Sequence, residues 1–469
     1  MGELLLTAVV PHPPIMVEEV GKGETVKVKA TREAMKQVAG ELAGLKPDTV
    51  VIITPHGGVF ADAVTMPAQK VFQGNLGRFG APQVALEYAR DEDLAELLYQ
   101  ACLDKDVPIA NLDQSIARRF NVDPKLDHGI VAPMSFFYQL EPKPRLLPVN
   151  MGLLPREQLY LFGMALREAI EKSNGKVAVI ASSDLSHRVT PGAPAGYSPR
   201  GGEFDLKLKE LLESFDVPGI LALPEELQEE AGECGYRPIV MMLGTLDGYE
   251  VDSQVLSYEA PFGVGYLVAR FKPGKPSSER QLLPKLKEQR QTKIQARLKA
   301  ESGVVKLARK TLEAYFATGR LPEQPAVTLS PELPERAGAF VTLKQEGQLR
   351  GCIGTTGPTK WSLAEEIMAN AVKAATEDPR FEPLAPEELA ELTISVDVLG
   401  VPEPVSGMEE LDPQKYGVIV RSGYRTGLLL PALEGVNTAE EQVAIARRKA
   451  GISPHEPVRL ERFTVTRFT

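Results

Sequence analysis

The sequence predicts an α/β protein, with a mainly parallel central sheet flanked by helices, followed by a smaller α+β domain. Three observations carry this reading. Apolar runs at Leu4 to Val10, Val50 to Thr54, Arg145 to Asn150 and Lys176 to Ala181 are separated by segments of helical periodicity, and such units build parallel sheets. Beyond about residue 300 the pattern becomes helix, strand, helix, strand, strand, helix. The chain of 469 residues is too long for one ordinary core, so two domains are expected.

Each element follows from its residues. Leu4 to Val10 is the first strand, closed by the proline-rich Pro11 to Pro14. A helix over about Thr25 to Leu45 and a Lys46-Pro47-Asp48 turn lead into Val50-Val51-Ile52-Ile53, four β-branched residues stopped by Pro55 and the glycine pair Gly57-Gly58. Gln83 to Leu103 has the period of an amphipathic helix, and Leu126 to Ile130 reads as a turn. A helix from about Arg156 to Lys172 joins two further strands, and Phe204 to Gln228 is helix-rich. Tyr236 to Leu246 is an apolar helix, and the strands Glu250 to Tyr258 and Gly265 to Phe271 finish the unit.

Lys272 to Ser278 is a linker by composition, and Gln281 to Ala300 a charged helix whose expected role is a solvated connection. The expected division is therefore a first domain over 1–272, linker and charged helix over 273–299, and a second domain over 300–469. In the latter, helices are expected at Val304 to Thr318, Leu363 to Thr376 and Thr438 to Ala450, and strands at Gly338 to Lys344, Leu392 to Leu399 and Gly417 to Arg421.

A net charge of -10 argues against nucleic acid as the main partner. No run approaches a transmembrane length, so no membrane partner is expected. Cys102, Cys234 and Cys352 form neither a disulfide framework nor a CxxC zinc pattern, which makes a reducing cytoplasm the expected setting. The start Met1-Gly2-Glu3-Leu4-Leu5-Leu6 has neither the basic flank nor the apolar length of a signal peptide.

Histidine placement carries most of the chemical signal. Four of the five histidines, His12, His56, His128 and His187, lie in the first domain, each after an apolar run or in a turn of Pro, Gly, Asp or Ser. Carboxyl ends of strands are where open α/β sheets place ligands. One histidine is more often a core or surface residue than a ligand, but four at such positions point to a metal. With the acidic Glu233 at a helix start, two imidazoles and a carboxylate make the facial triad of iron(II) oxygenases.

Pro11-His12-Pro13, Thr54-Pro55-His56, Leu126-Asp127-His128-Gly129 and Ser182-Ser183-Asp184-Leu185-Ser186-His187 together resemble the class III extradiol dioxygenase superfamily. The resemblance implies His12, His56 and Glu233 as ligands of Fe(II), His187 as acid/base and His128 as a donor near substrate and oxygen. It implies ring cleavage of a small aromatic diol by dioxygen; an imidazole takes up and returns protons near neutral pH. Cys234-Gly235-Tyr236-Arg237-Pro238-Ile239 is also similar to the MEMO branch of the same fold, which implies Cys234 as the alternative ligand. A thiolate favours softer metals, Zn or Cu, and speaks against ring cleavage.

Leu349-Arg350-Gly351-Cys352-Ile353-Gly354, with Glu377 to Leu384 and Gly427 to Pro431, resembles the AMMECR family. Gly351 and Gly354 allow a turn with close backbone approach, and Cys352 reads as a nucleophile or a packed residue. Arg350 and Arg380 complete the candidate second-domain site; His455 is the only histidine there. The fusion resembles two parts of a set that includes a radical-SAM protein, which implies such a partner and a metal-binding role without ring cleavage. The superfamily's habit of associating through its sheet domain makes a homodimer one expected state.

Overall fold

The computed structural model describes residues 1–345, 348–433 and 435–469. Two compact units divide the chain, Met1–Lys285 and Leu286–Thr469.

The first unit contains β1 (Glu3–Val10), β2 (Thr49–Thr54), β3 (Val64–Pro67), β4 (Val71–Leu76), β5 (Ala81–Ala89), β6 (Ile109–Leu112), β7 (Arg145–Asn150), β8 (Lys176–Ser182), β9 (Tyr249–Glu259) and β10 (Tyr266–Pro276). Eight of these form one sheet in the order β6-β3-β7-β2-β8-β1-β10-β9. The centre, β7-β2-β8-β1, is parallel throughout. β10 and β9 close one edge antiparallel. Every residue of β2 is buried, as expected for a strand covered on both faces. Leu6, Ala8, Val10, Val50 and Ile52 pack towards Met35, Val38 and Leu42 of the helix Lys29–Leu45. Helices Arg156–Lys172 and Tyr236–Gly244 pack on each other and on β1 and β8. Because β1, β2 and β8 run in one direction, the residues after Val10, Thr54 and Ser182 leave the same edge.

Three expectations for local structure change. The Gln83 to Leu103 segment is not one helix: β5 ends at Ala89 and a helix spans Glu92–Leu103, started by Asp91, whose side chain accepts from Leu94 N. Leu86 and Tyr88 are buried between exposed Ala85, Glu87 and Ala89, a period of two that pairs β5 with β4. Leu126 to Ile130 is not only a turn, since His128 opens the helix His128–Met134. The linker composition of Lys272 to Pro276 belongs to β10, where Lys272 and Pro273 pair with Asp252 and Val251 of β9 beyond Phe271, the last β10 residue paired with β1, so that proline is tolerated on the unpaired side.

The second unit holds β11 (Ala339–Gln345), β12 (Gln348–Gly354), β13 (Thr393–Leu399), β14 (Glu403–Val405), β15 (Gly417–Ser422), β16 (Arg425–Leu429), β17 (Arg459–Phe463) and β18 (Val465–Phe468). They form two antiparallel sheets, β12-β11-β13-β18 and β14-β17-β15-β16. Val341, Leu343, Ile394, Val396 and Val398 put one face of the first sheet into a core with the helices Gly303–Thr318 and Leu363–Thr376. The hexapeptide expected to turn is strand β12. Its Gly351 serves the close approach, because a Cβ there would stand 2.1 Å from the carbonyl oxygen of Ala374. Among the described residues no helix is long and apolar enough to cross a membrane.

Candidate metal centre

His12 follows β1, His56 follows β2, and His128 opens its helix from the neighbouring loop. Their ring nitrogens form a group in which one atom from each lies within 4.8 Å of the others. Nε2 of His12 and Nε2 of His56 are 2.9 Å apart. The rings of His56 and His128 stack at 4.4 Å between centroids. This packing leaves no space for side chains at Gly129: a Cβ there would come within 2.7 Å of both Thr54 Oγ1 and Asp127 Oδ1. Thr54 also donates to Asp127 Oδ1 at 3.0 Å and accepts from the His56 N–H at 3.2 Å, which ties the end of β2 to the His128 loop.

The tautomer of His12 follows from its surroundings. Ser182 Oγ donates its single proton to the Gly129 carbonyl oxygen. It therefore accepts from His12 Nδ1 at 2.9 Å, so Nδ1 carries the ring proton and the Nε2 lone pair faces His56. The backbone N–H of His12 donates to Asp184 Oδ1 at 2.8 Å, and Asp184 Oδ2 lies 3.6 Å from Nε2.

Electrostatics keep the imidazoles unprotonated. Burial, then the neighbouring His128 and His187, holds His12 well below the ordinary histidine range. Burial, then His12, His128 and His187, push His56 down to about 3, and burial also lowers His128. Burial raises Asp184 to about 6. His12 is buried, His128 half-buried and His56 exposed; neutral imidazoles whose ring nitrogens converge in this way can serve as metal donors, and a separation of 2.9 Å suits two nitrogens that each stand about 2.0–2.1 Å from one ion. The residues present fit a metal.

Adjacent residues of the loop after the helix Glu225–Ala231 go to different places. Cys234 Sγ is 3.6 Å from His12 Nε2 and 3.7 Å from His187 Nε2. Glu233, expected first as the third ligand, accepts instead from the Tyr236 N–H at 2.6 Å at the start of the helix Tyr236–Gly244. It lines a separate cavity with Arg156 and Arg237, and burial raises it to about 7. Burial raises the Cys234 thiol well above its ordinary range, with further contributions from Asp184 and Glu233. The structure thus brings His12, His56, His128, His187 and Cys234 together and turns Glu233 away. Sequence reasoning missed the roles of Ser182 and Asp184, although both stand in the Ser182-Ser183-Asp184 run directly after β8.

A cavity of about 610 Å³ opens beside the imidazoles, lined by His56, His128, Asp127, Asn75, Arg78 and Phe79. Phe79, at the tip of the β4-β5 hairpin, stands 5.4 Å from the His128 ring.

In the second unit, Arg350 forks Glu388 through Nε and Nη2 at 2.8 and 3.0 Å and gives Nη1 to the Glu382 carbonyl at 2.7 Å. All three nitrogens are engaged, so Arg350 ties β12 to the segment that follows. Cys352 and Arg380 do meet: Arg380 Nη2 donates to the Cys352 carbonyl oxygen at 3.3 Å. Among the described residues, His455 makes no hydrogen bond or ring contact with them.

Comparison with known proteins agrees with this architecture. The model for the catalytic LigB subunit of aromatic ring-opening dioxygenase matches residues 6–269, and the AMMECR1 model matches residues 305–469. Protein CA_C1420 of Clostridium acetobutylicum is 39% identical over 458 residues, 97% of each chain. A protein of Thermotoga maritima is 53% identical over 171 residues, 36% of this chain and 98% of that protein. Among solved structures, uncharacterized protein PH0010 from Pyrococcus horikoshii is 36% identical over 35% of this chain and 88% of its own, with a TM-score of 0.33. Uncharacterized protein JW3007 from Escherichia coli K12 is 14% identical over 57% of this chain and 99% of its own, with a TM-score of 0.36. The chain belongs to the LigB family over residues 6–269 and to the AMMECR1 family over residues 305–469, a fusion of the two.

Proposed function

We propose that the first unit is a metal centre held by His12, His56 and Cys234, and that the chain works as a metal-binding component of a modification system rather than as a ring-cleaving enzyme. The observation that carries this reading is the 3.6 Å approach of Cys234 Sγ to His12 Nε2, against the engagement of Glu233 with its own helix start. Two nitrogens and a sulfur are a softer donor set than the two-histidine, one-carboxylate set of iron(II) oxygenases, and favour Cu or Zn as well as Fe. When bound, the metal supplies Lewis acidity or, for Cu and Fe, one-electron chemistry.

The chain's own residues do the rest. Ser182 fixes the His12 tautomer, and Asp184 anchors the His12 backbone. His187, 3.7 Å from the sulfur, is placed to accept the proton that the Cys234 thiol must lose to act as a ligand. His128 and Phe79 wall the cavity through which a small molecule reaches the imidazoles. The radical-SAM partner implied by the resemblance belongs to the same proposal. Co-expression with such a protein, followed by copurification under anaerobic conditions, tests it.

A second reading keeps ring cleavage. The cavity beside His56 and His128 is favourable to it, since about 610 Å³ admits a small aromatic diol and Phe79 offers a ring against which one stacks. In that reading Fe(II) is the metal, Asp184 provides the nearest carboxylate to His12, and His187 moves the diol proton. Oxygen uptake by iron-loaded protein on a panel of catechols separates the two: uptake lost in His187→Ala supports cleavage, and none on any catechol removes it.

A further inference from the structure

The loop that carries Cys234 also walls the second cavity of the first unit, with a volume of about 300 Å³. Four charged side chains from separate elements line it: Arg156 at the start of the helix Arg156–Lys172, Glu229 of the helix Glu225–Ala231, Glu233 of the loop, and Arg237 of the helix Tyr236–Gly244. The fold thus gathers two guanidiniums and two carboxylates around one small space.

Arg156 is held in place before any ligand arrives. Its Nη1 donates to the carbonyls of Leu221 and Leu223 at 2.9 and 2.6 Å, and its guanidinium stands 5.3 Å from the centre of the Tyr236 ring. Tyr236 is fixed in turn, because its hydroxyl donates to the Ile220 carbonyl at 2.9 Å. Nη2 of Arg156 is buried and makes no hydrogen bond among the described residues. Glu225 stands 3.6 Å from it, but that carboxylate is 76% exposed and is a weak, solvated partner. A buried donor without an acceptor is costly, and a ligand oxygen removes the cost.

The half-buried Arg237 and the exposed Glu229 are less engaged still. Among the described residues neither side chain makes a hydrogen bond or an ion pair. They are opposite in charge and line the same cavity, yet they do not pair with each other. A simple anion entering here would meet the carboxylates of Glu229 and Glu233, and a simple cation would meet the two guanidiniums. A ligand that carries both signs suits the lining.

We propose that this cavity binds a free α-amino acid, its carboxylate held by Arg237 and by Nη2 of Arg156, and its ammonium group by Glu229. The volume stands at the low end for small-molecule sites, which matches a ligand of that size. Binding here does not depend on the identity of the metal ligands.

Calorimetric titration of the full-length protein with each common L-amino acid tests it, each beside the two analogues that lack its carboxylate or its ammonium group. At least one amino acid is expected to bind at roughly millimolar Kd or tighter, and both of its single-charge analogues at least about tenfold more weakly. Arg237→Gln removes no hydrogen bond or ion pair of the fold and should weaken binding by about tenfold, as should Glu229→Gln. No binding by any amino acid at about ten times that concentration overturns the proposal. So does an analogue that binds as well as its parent, and so does binding that both variants leave unchanged, which places the amino acid elsewhere, on a metal included.

Discussion

Ser182 Oγ accepts the Nδ1 proton of His12 at 2.9 Å while giving its own proton to the Gly129 carbonyl, so a single hydroxyl decides which nitrogen of His12 is free. Ser182 ends β8 and His12 follows β1, which pair in parallel with Val10 opposite Ser182. The sheet register sets which nitrogen of His12 is free.

Ser182→Ala should therefore keep the fold and lose metal. The expected loss is roughly 10–100-fold in affinity, the usual effect of removing an outer-shell partner of a ligating histidine. Competition against a chelator reads it, with Ser182→Thr, which retains the hydroxyl, expected to recover most of the affinity. Unchanged affinity in Ser182→Ala would show that the hydroxyl does not choose the nitrogen.

A buried carboxylate gives a pH signature away from the metal. Asp205 accepts from Ser186 N and from the Tyr258 hydroxyl, both at 2.8 Å, and burial raises it to about 7. Its unfolded value is about 3.9, so the folded chain holds the extra proton between about pH 4 and pH 7, and stability falls as pH rises through that window. Asp205→Asn should remove this slope, and the wild type should lose on the order of a few kcal/mol relative to it between pH 5 and pH 8. Denaturant unfolding of metal-free protein at both pH values measures the difference. A slope shared by both proteins would place its origin elsewhere.

Arg309 is the main buried cation of the second unit. Its Nε donates to both oxygens of the buried Glu301 at 2.8 and 3.0 Å, and Nη1 and Nη2 reach the carbonyls of Leu389 and Leu392 at 2.8 Å. Arg309→Met strands the carboxylate and should cost roughly 3–5 kcal/mol. The unfolding transition of the second unit, followed separately from the first because two units need not unfold together, should shift accordingly. Arg309→Met with Glu301→Gln should recover part of the loss.

What the sequence made legible follows physical locality. Val50 to Thr54 declares a buried strand through four β-branched residues, and its carboxyl end carries His56, as expected. Gln83 to Ala89 misleads because its alternation is polar and short, and β5 owes its state to the partner β4. Glu233 and Cys234 are neighbours in an irregular loop, where no period tells which side chain faces inward, so which of them approaches His12 needed coordinates. Arg467 lies 115 positions after Cys352 in the numbering and shares a sheet face with it only through the register of β12, β11, β13 and β18. Arg350 stands beside Cys352 in the sequence, while its guanidinium is taken up by Glu388 and the Glu382 carbonyl, partners that only the fold brings near.

The central claim is that Cys234, not Glu233, completes the metal centre with His12 and His56. Metal content of anaerobically purified wild type, Cys234→Ala and Glu233→Gln, loaded in turn with Fe(II), Zn and Cu, tests it most directly. The account predicts that Cys234→Ala binds each metal at least about tenfold more weakly while Glu233→Gln stays near wild type. Metal retained in Cys234→Ala and lost in Glu233→Gln would contradict it and return the carboxylate to the site.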